Sequence, residues 1–268
     1  MAESSFYDLL TEDYSGQNNI VMDEVIEIKE GEFDSRADGC LSLKGLLQTV
    51  QLNAFHHHYC ANADVQDLID SGMLLFVIRL TYKINRMPKI GESLRYRTWV
   101  YYDRRRGVLR YNTIETLSGE LLSETTSRWV VVDAETRTMV PVETFNKRWD
   151  YQFPKMSFCP SPKTFKKQCE LTEDYSFKIT DKFIDMNGHV NNCEYAGFVD
   201  MAMEKLGETR EPTALEISFN AEARLGDEIK MEMGRNDSEL FVDAQVSAHT
   251  CFRAKVLFSE VDDAEIFF

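Results

Sequence analysis

The chain of 268 residues repeats itself, and the repeat limits the folds open to it. Leu80-Thr81-Tyr82-Lys83-Ile84-Asn85, followed by Ile90-Gly91-Glu92, returns 135 positions later as Leu215-Glu216-Ile217-Ser218-Phe219-Asn220, followed by Leu225-Gly226-Asp227. Asp38-Gly39 returns as Asn187-Gly188, 149 positions later, each time after a strand-like stretch and before a helical one. A helical segment 14 residues shorter in the second copy accounts for the difference between the offsets. The likeness within each block is weak. The shared order of elements and the two gap-free blocks carry it. Such a chain is expected to hold two copies of one supersecondary unit.

Periodicity describes that unit. Residues 20–30 alternate apolar and polar and read as a strand, closed by a polar turn through Gly31 to Gly39. Residues 41–63 carry Leu43, Leu46, Leu47, Val50 and Phe55 at helical spacing. Four strands follow, over 73–85, 93–103, 108–117 and 120–132. The second copy reads as a short strand over 176–180, a helix over 193–206, and strands over 215–220, 228–234, 240–248 and 252–260. A helix among antiparallel strands is an α+β unit with the helix packed on one sheet face. Between the copies, residues 141–175 hold Pro141, Pro154, Pro160 and Pro162 and read as an irregular connection. The expected organisation is an N-terminal domain over 1–140, a linker over 141–175 and a C-terminal domain over 176–268.

Charge and cysteine usage narrow the partners. A formal net charge of −15 argues against nucleic acid or an anionic membrane as a general partner. No apolar run approaches the roughly 20 residues needed to span a bilayer. The stretch Met1 to Tyr14 is acidic, without the basic start of a signal peptide. The six cysteines form no C-x-x-C pair, so they read as reduced thiols of a cytoplasmic protein. His56-His57-His58 cannot all ligate one metal, because successive helical residues point about 100° apart. They are expected on the surface or along a pocket. Arg104-Arg105-Arg106 and the lysines Lys155, Lys163, Lys166 and Lys167 are local basic patches in an acidic chain, suited to an acidic partner.

The chemistry is concentrated in one run, Asp185-Met186-Asn187-Gly188-His189-Val190-Asn191-Asn192, just before the second helix. Carboxylate, amide and imidazole occupy every second position. Free N–H groups at the helix start, near Val190 and Asn191, suit a developing oxyanion. The repeat sets Arg36, Asp38 and Cys40 opposite Asp185, Asn187 and His189, and Met87 opposite Glu222. Only the second copy has the full polar set, so one half is expected to be active and the other degenerate.

These residues resemble the acyl-ACP thioesterases of plants and bacteria. The resemblance rests on Asp185-x-Asn187-x-His189-Val190-Asn191-Asn192-x-x-Tyr195 and on Phe219-Asn220-Ala221-Glu222-Ala223 with Gly226-Asp227 behind it. The first half is similar too, through Gly39, the helix from Leu41 and the late strand Ser127-Arg128-Trp129-Val130-Val131-Val132-Asp133. The likeness runs from about residue 19 to residue 260. It implies a double hotdog, an α+β fold in which each long helix is wrapped by an antiparallel sheet and the two halves pair as a pseudo-dimer. It implies hydrolysis of fatty acyl-ACP without metal, nucleotide or other cofactor, by Asp185, Asn187, His189 and Glu222. It further implies an acyl tunnel lined partly by the N-terminal half.

Where the family often has Cys after the Glu, this chain has Ala223, which argues against a Cys/His mechanism. Either Glu222 activates a water or Asp185 attacks directly. His189 is suited to orienting that group and passing protons. Arg104, Arg105, Arg106, Lys166 and Lys167 would dock the carrier protein. A homodimer of the whole chain is also expected. Two other readings fit the same residues: an acyl-CoA thioesterase, and a non-catalytic hotdog that binds acyl groups.

Overall fold

The computed structural model describes residues 21–60, 70–103, 107–141, 167, 169–185 and 188–258. In chain order its elements are β1 (Met22–Glu27), α1 (Leu43–Cys60), β2 (Met73–Ile84), β3 (Ser93–Asp103), β4 (Gly107–Thr116) and β5 (Leu121–Asp133). The second half follows with β6 (Glu173–Lys178), a 3₁₀ turn (Asp181–Phe183), α2 (Asn192–Lys205), β7 (Ala214–Phe219), β8 (Glu228–Arg235), β9 (Glu239–Val246) and β10 (His249–Leu257). Strand ends lie close to those read from the pattern. The largest gain is at β6, which starts at Glu173. Its exposed, charged first residues on an edge strand carry no alternation to read. The rest of the expected linker lies outside the described residues.

All ten strands form one antiparallel sheet in the order β1-β3-β4-β5-β2-β7-β10-β9-β8-β6. That order is a palindrome of the repeat, with the first half on one side of the β2–β7 seam and the second half on the other. The register at the seam is compatible with the offset of 135. Thr81 pairs with Glu216, its own repeat equivalent, as a two-fold relation between antiparallel strands demands. The turns before the helices also superpose in kind. Gly39 and Gly188 take φ of 80° and 78°, conformations that cost a glycine nothing. The Arg36 N–H donates to Cys40 O and the Asp185 N–H to His189 O, both at 2.8 Å.

Both helices sit on the same sheet face and touch one another, so one hydrophobic core serves both halves. It joins Leu43, Leu46 and Val50 of α1 to Phe198, Val199 and Ala202 of α2, with Leu80, Ile217 and Ala254 from the sheet beneath. On β4 the alternation splits. Leu109 and Tyr111 pack with Trp99 in a separate cluster, while Ile114 belongs to the main core. His56 and His57 are 2% and 4% exposed, so the surface option for them is overturned. The helix face they occupy is held against polar groups of the sheet: His56 Nδ1 lies 2.8 Å from Glu24 Oε2 and His57 Nδ1 lies 3.0 Å from Arg110 Nη1. The side chain of His58 lies outside the described residues.

Candidate active site

A closed loop carries the polar run. Ile184 and Val190 form a bridge across its neck. The Gly188 N–H donates to Asp185 O at 3.0 Å, and the His189 N–H donates to Asp185 Oδ1 at 3.3 Å. Asp185 therefore shapes the loop that presents His189. The Val190 N–H donates to Ala223 O at 3.3 Å and fastens the loop to the chain just beyond β7. This brings His189 Nε2 to 3.5 Å from Glu222 Oε2, with both side chains about one third exposed. Asp185, His189 and Glu222 thus meet at one cavity. Asn187, Arg104, Arg105, Arg106 and Lys166 lie outside the described residues. Lys167 is exposed.

Two arginines absent from the sequence reading complete the surroundings of Glu222. Arg137 Nη1 lies 4.0 Å from Glu222 Oε1, and Arg224 Nη2 lies 3.7 Å from Oε2. Arg137 belongs to the turn after β5 of the first half and adopts φ of 55°, where a side chain is strained. No local motif announces a residue that reaches the site from the other copy.

The helix end differs from expectation. The two N–H groups proposed for the substrate carbonyl are occupied: Val190 by Ala223 O, and Asn191 by Phe183 O at 3.0 Å. Asn191 is instead the N-cap of α2, its side chain accepting from the Cys193 N–H at 2.9 Å. The first-turn N–H left without a partner among the described residues is that of Asn192, and Asn192 lines the cavity.

The repeat makes the contrast informative. The equivalents of Asn192 and Cys193 are Leu43 and Lys44, and both of their N–H groups donate to the half-buried carboxyl group of Asp200, at 3.1 and 3.0 Å. Burial pushes the Asp200 pKa up to about 7, against the pull of those two N–H donors. The helix end of the first half is plugged by a carboxylate from α2. At the second, the residue in Asp200's equivalent position is Gln51, which is neutral and accepts from the Cys193 thiol at 2.6 Å.

The rest of the first copy has spent its polar groups elsewhere. Arg36 pairs with Glu211 and Asp38, and Cys40 and Met87 are buried. Nor do the thiols beside the site offer a nucleophile. Burial pushes Cys193 well up and Cys251 to about 11, the latter donating to Ala221 O at 3.2 Å.

The cavity at Glu222 measures about 390 Å³, with Tyr195 and Phe219 on one side and Leu75 to Ile78 of β2 on the other. The register of β2 against β5 slips between Val77 and Arg79, a bulge of the kind that re-aims side chains beside a site. A second cavity of about 210 Å³ lies beneath α1 and shares Leu75, Val77, Asn192 and Phe219 with the first.

Fold and site define a double hotdog with a polar site between its halves. Solved structures agree on the fold. An acyl-ACP thioesterase of Bacteroides thetaiotaomicron, 20% identical, superposes with a TM-score of 0.72 over 89% of this chain and 98% of its own. The 12:0-ACP thioesterase of Umbellularia californica, 14% identical, gives 0.77 over 91% and 99%. A palmitoyl-acyl carrier protein thioesterase of Gossypium hirsutum is 25% identical over 77% of this chain and 53% of its own length. The chain spans about half the length of such curated relatives. The acyl-ACP thioesterase N-terminal domain model matches residues 20–145 and the C-terminal domain model residues 165–258. The chain belongs to the acyl-ACP thioesterase family.

Proposed function

We propose that this protein hydrolyses fatty acyl-ACP to the free fatty acid and holo-ACP, as a step of fatty acid biosynthesis. The observation that carries the reading is the His189–Glu222 pair, 3.5 Å apart beside an unplugged helix end, where two cavities meet. In the proposed reaction the thioester carbonyl oxygen lies against the Asn192 N–H. Glu222 takes a proton from a water, and the water oxygen attacks the carbonyl carbon. The C–S bond then breaks, and the proton passes to the leaving thiolate, with His189 orienting the water and relaying the proton. Asn187 holds the water through its amide. Asp185 organises the loop, and its bond to the His189 backbone favours this role over direct attack. No metal or other cofactor enters these steps.

The acyl chain would run from the larger cavity into the one beneath α1, so the first half, residues 1–140, would shape the acyl pocket while the second half, from β6 onward, would supply the chemistry. Arg104, Arg105, Arg106, Lys166 and Lys167 would dock the acidic carrier protein. No described helix is long and apolar enough to cross a membrane. Four buried free cysteines support a reducing, cytoplasmic setting for the chain. Association of two chains belongs to the same reading and is read out by sedimentation velocity.

The test is a chain-length panel of acyl-ACPs assayed for released thiol, with the matching acyl-CoAs alongside. Release from the ACP esters with higher kcat/KM is expected. Equal or better use of CoA esters would remove the carrier protein from the proposal.

A further inference from the structure

The cavity beneath α1 is greasy at its sides and polar at its floor. Leu47, Val50 and Leu80 line it together with Arg110, Asn112 and Ser127, which lie side by side on β4 and β5. Arg110 and Asn112 alternate with Leu109 and Tyr111 and so share the strand face turned toward α1. Arg110 donates to Thr98 Oγ1 at 3.0 Å and meets His57 of α1 at the same distance. Ser127 accepts from Trp129 Nε1 at 2.7 Å, which leaves its own hydroxyl proton to give.

Asn112 is 3% exposed, and neither its Nδ2 nor its Oδ1 has a hydrogen-bond partner among the described residues. Directly opposite on β5, Thr125 is 1% exposed and its hydroxyl is likewise without a partner among them. A buried amide with both ends unmatched is out of keeping with protein interiors, where such groups are bonded. A wholly hydrocarbon chain in this cavity would leave it so. A carboxylate would satisfy the Nδ2 donor but not the Oδ1 acceptor. A hydroxyl both accepts and donates, and matches both ends of the amide.

We propose that the acyl group this site prefers carries a hydroxyl where the chain reaches the floor of the cavity, and that Asn112, supported by Thr125 and Ser127, selects it. The inference rests on the thioesterase reading for the word substrate, but its geometry concerns the cavity alone. Sites built to hydrogen-bond a hydroxyl reject the analogue that lacks it far better than apolar pockets reject an extra methylene.

The test has a binding arm and a turnover arm. In the first, the free fatty acid, its hydroxy derivatives with the hydroxyl walked along the chain, and the matching dicarboxylic acid displace a fluorescent fatty acid from the protein. One hydroxy isomer is expected to bind at least about tenfold tighter than the unsubstituted acid, which corresponds to about 1.4 kcal/mol. Asn112→Leu is expected to cancel or invert that ratio. Thr125→Val, of nearly the same shape, is expected to reduce it and serves if the leucine variant does not fold.

The turnover arm repeats the comparison as kcat/KM on the acyl-ACPs. Unsubstituted acid bound as tightly as every hydroxy isomer, a preference for the dicarboxylic acid, or ratios that ignore both variants would overturn the proposal. Cleavage of plain acyl-ACPs without a hydroxyl preference would end this inference and leave the thioesterase reading standing. A hydroxyl preference in binding with no acyl-ACP cleaved would do the reverse.

Discussion

Glu222 stands between an imidazole and two guanidinium groups. One oxygen faces His189 and Arg224, and the other faces Arg137. Its partial exposure lets it meet a water, and the arginines hold its position without burying it. Glu222→Gln keeps the shape and removes the base, so a loss of about 10²–10⁴-fold in kcat is expected. His189→Ala is expected to fall in the same range. Because both side chains are about one third exposed, the unfolding free energy measured in urea should change by no more than about 0.5 kcal/mol. Activity within threefold of the parent in both variants would remove the pair from the mechanism. Ala223 adds a restriction at the same scale: it is fully buried, and its backbone N–H donates to the Tyr195 hydroxyl at 3.3 Å. That position braces the site and offers no nucleophile.

Among the elements, the helix starts are where sequence and structure part. The run Asp185-x-Asn187-x-His189 was legible as residue types at fixed spacing, and Glu222 was singled out by the family resemblance; the repeat pointed to the second copy as the one with the full polar set. Which N–H groups stay free was not legible. That depends on carbonyls of Phe183 and Ala223, which arrive through the fold of the loop and the end of β7. Asp200 was equally silent in the sequence, a polar residue in a helix whose carboxylate caps the other helix.

Its burial has a measurable consequence. With a pKa raised from 3.8 to about 7, the folded chain holds a proton there that the unfolded chain has released. The stability this gives is complete below the unfolded value and is lost as pH rises through about 7. Asp200→Asn removes that dependence. Urea unfolding between about pH 4 and 8 should show the parent losing ground to the variant as pH rises; curves that stay parallel would contradict the assignment. The cap also fits the proposal that the first copy is inactive, since the Asp200 carboxyl group sits where a substrate oxyanion would need the helix end.

As a whole, the molecule is a dimer folded from one chain. The offset of 135 read from two short blocks recurs as the pairing of Thr81 with Glu216 at the seam. Apart from the start of β6, the strands were legible because each alternates or runs apolar within clear turns. The joining of ten strands into one sheet was not, since β2 and β7 read as ordinary interior strands in either arrangement. With one core across both halves, the described body should unfold in a single transition, with calorimetric and van't Hoff enthalpies equal. Two separate transitions would mean that the halves are independently stable and the shared core contributes little.

This architecture makes sense of an asymmetric site. One copy supplies Asp185, His189, Glu222 and the Asn192 amide, and the other supplies Arg137, the β2 wall and the cavity beneath α1. The most direct measurement is single-turnover hydrolysis of acyl-ACP in ¹⁸O-labelled water by the parent chain and by Glu222→Gln. The account predicts label in the released fatty acid from the parent, none in the protein's carboxylates, and release by the variant slowed about 10²–10⁴-fold. Label recovered in Asp185, or undiminished release by Glu222→Gln, would contradict it.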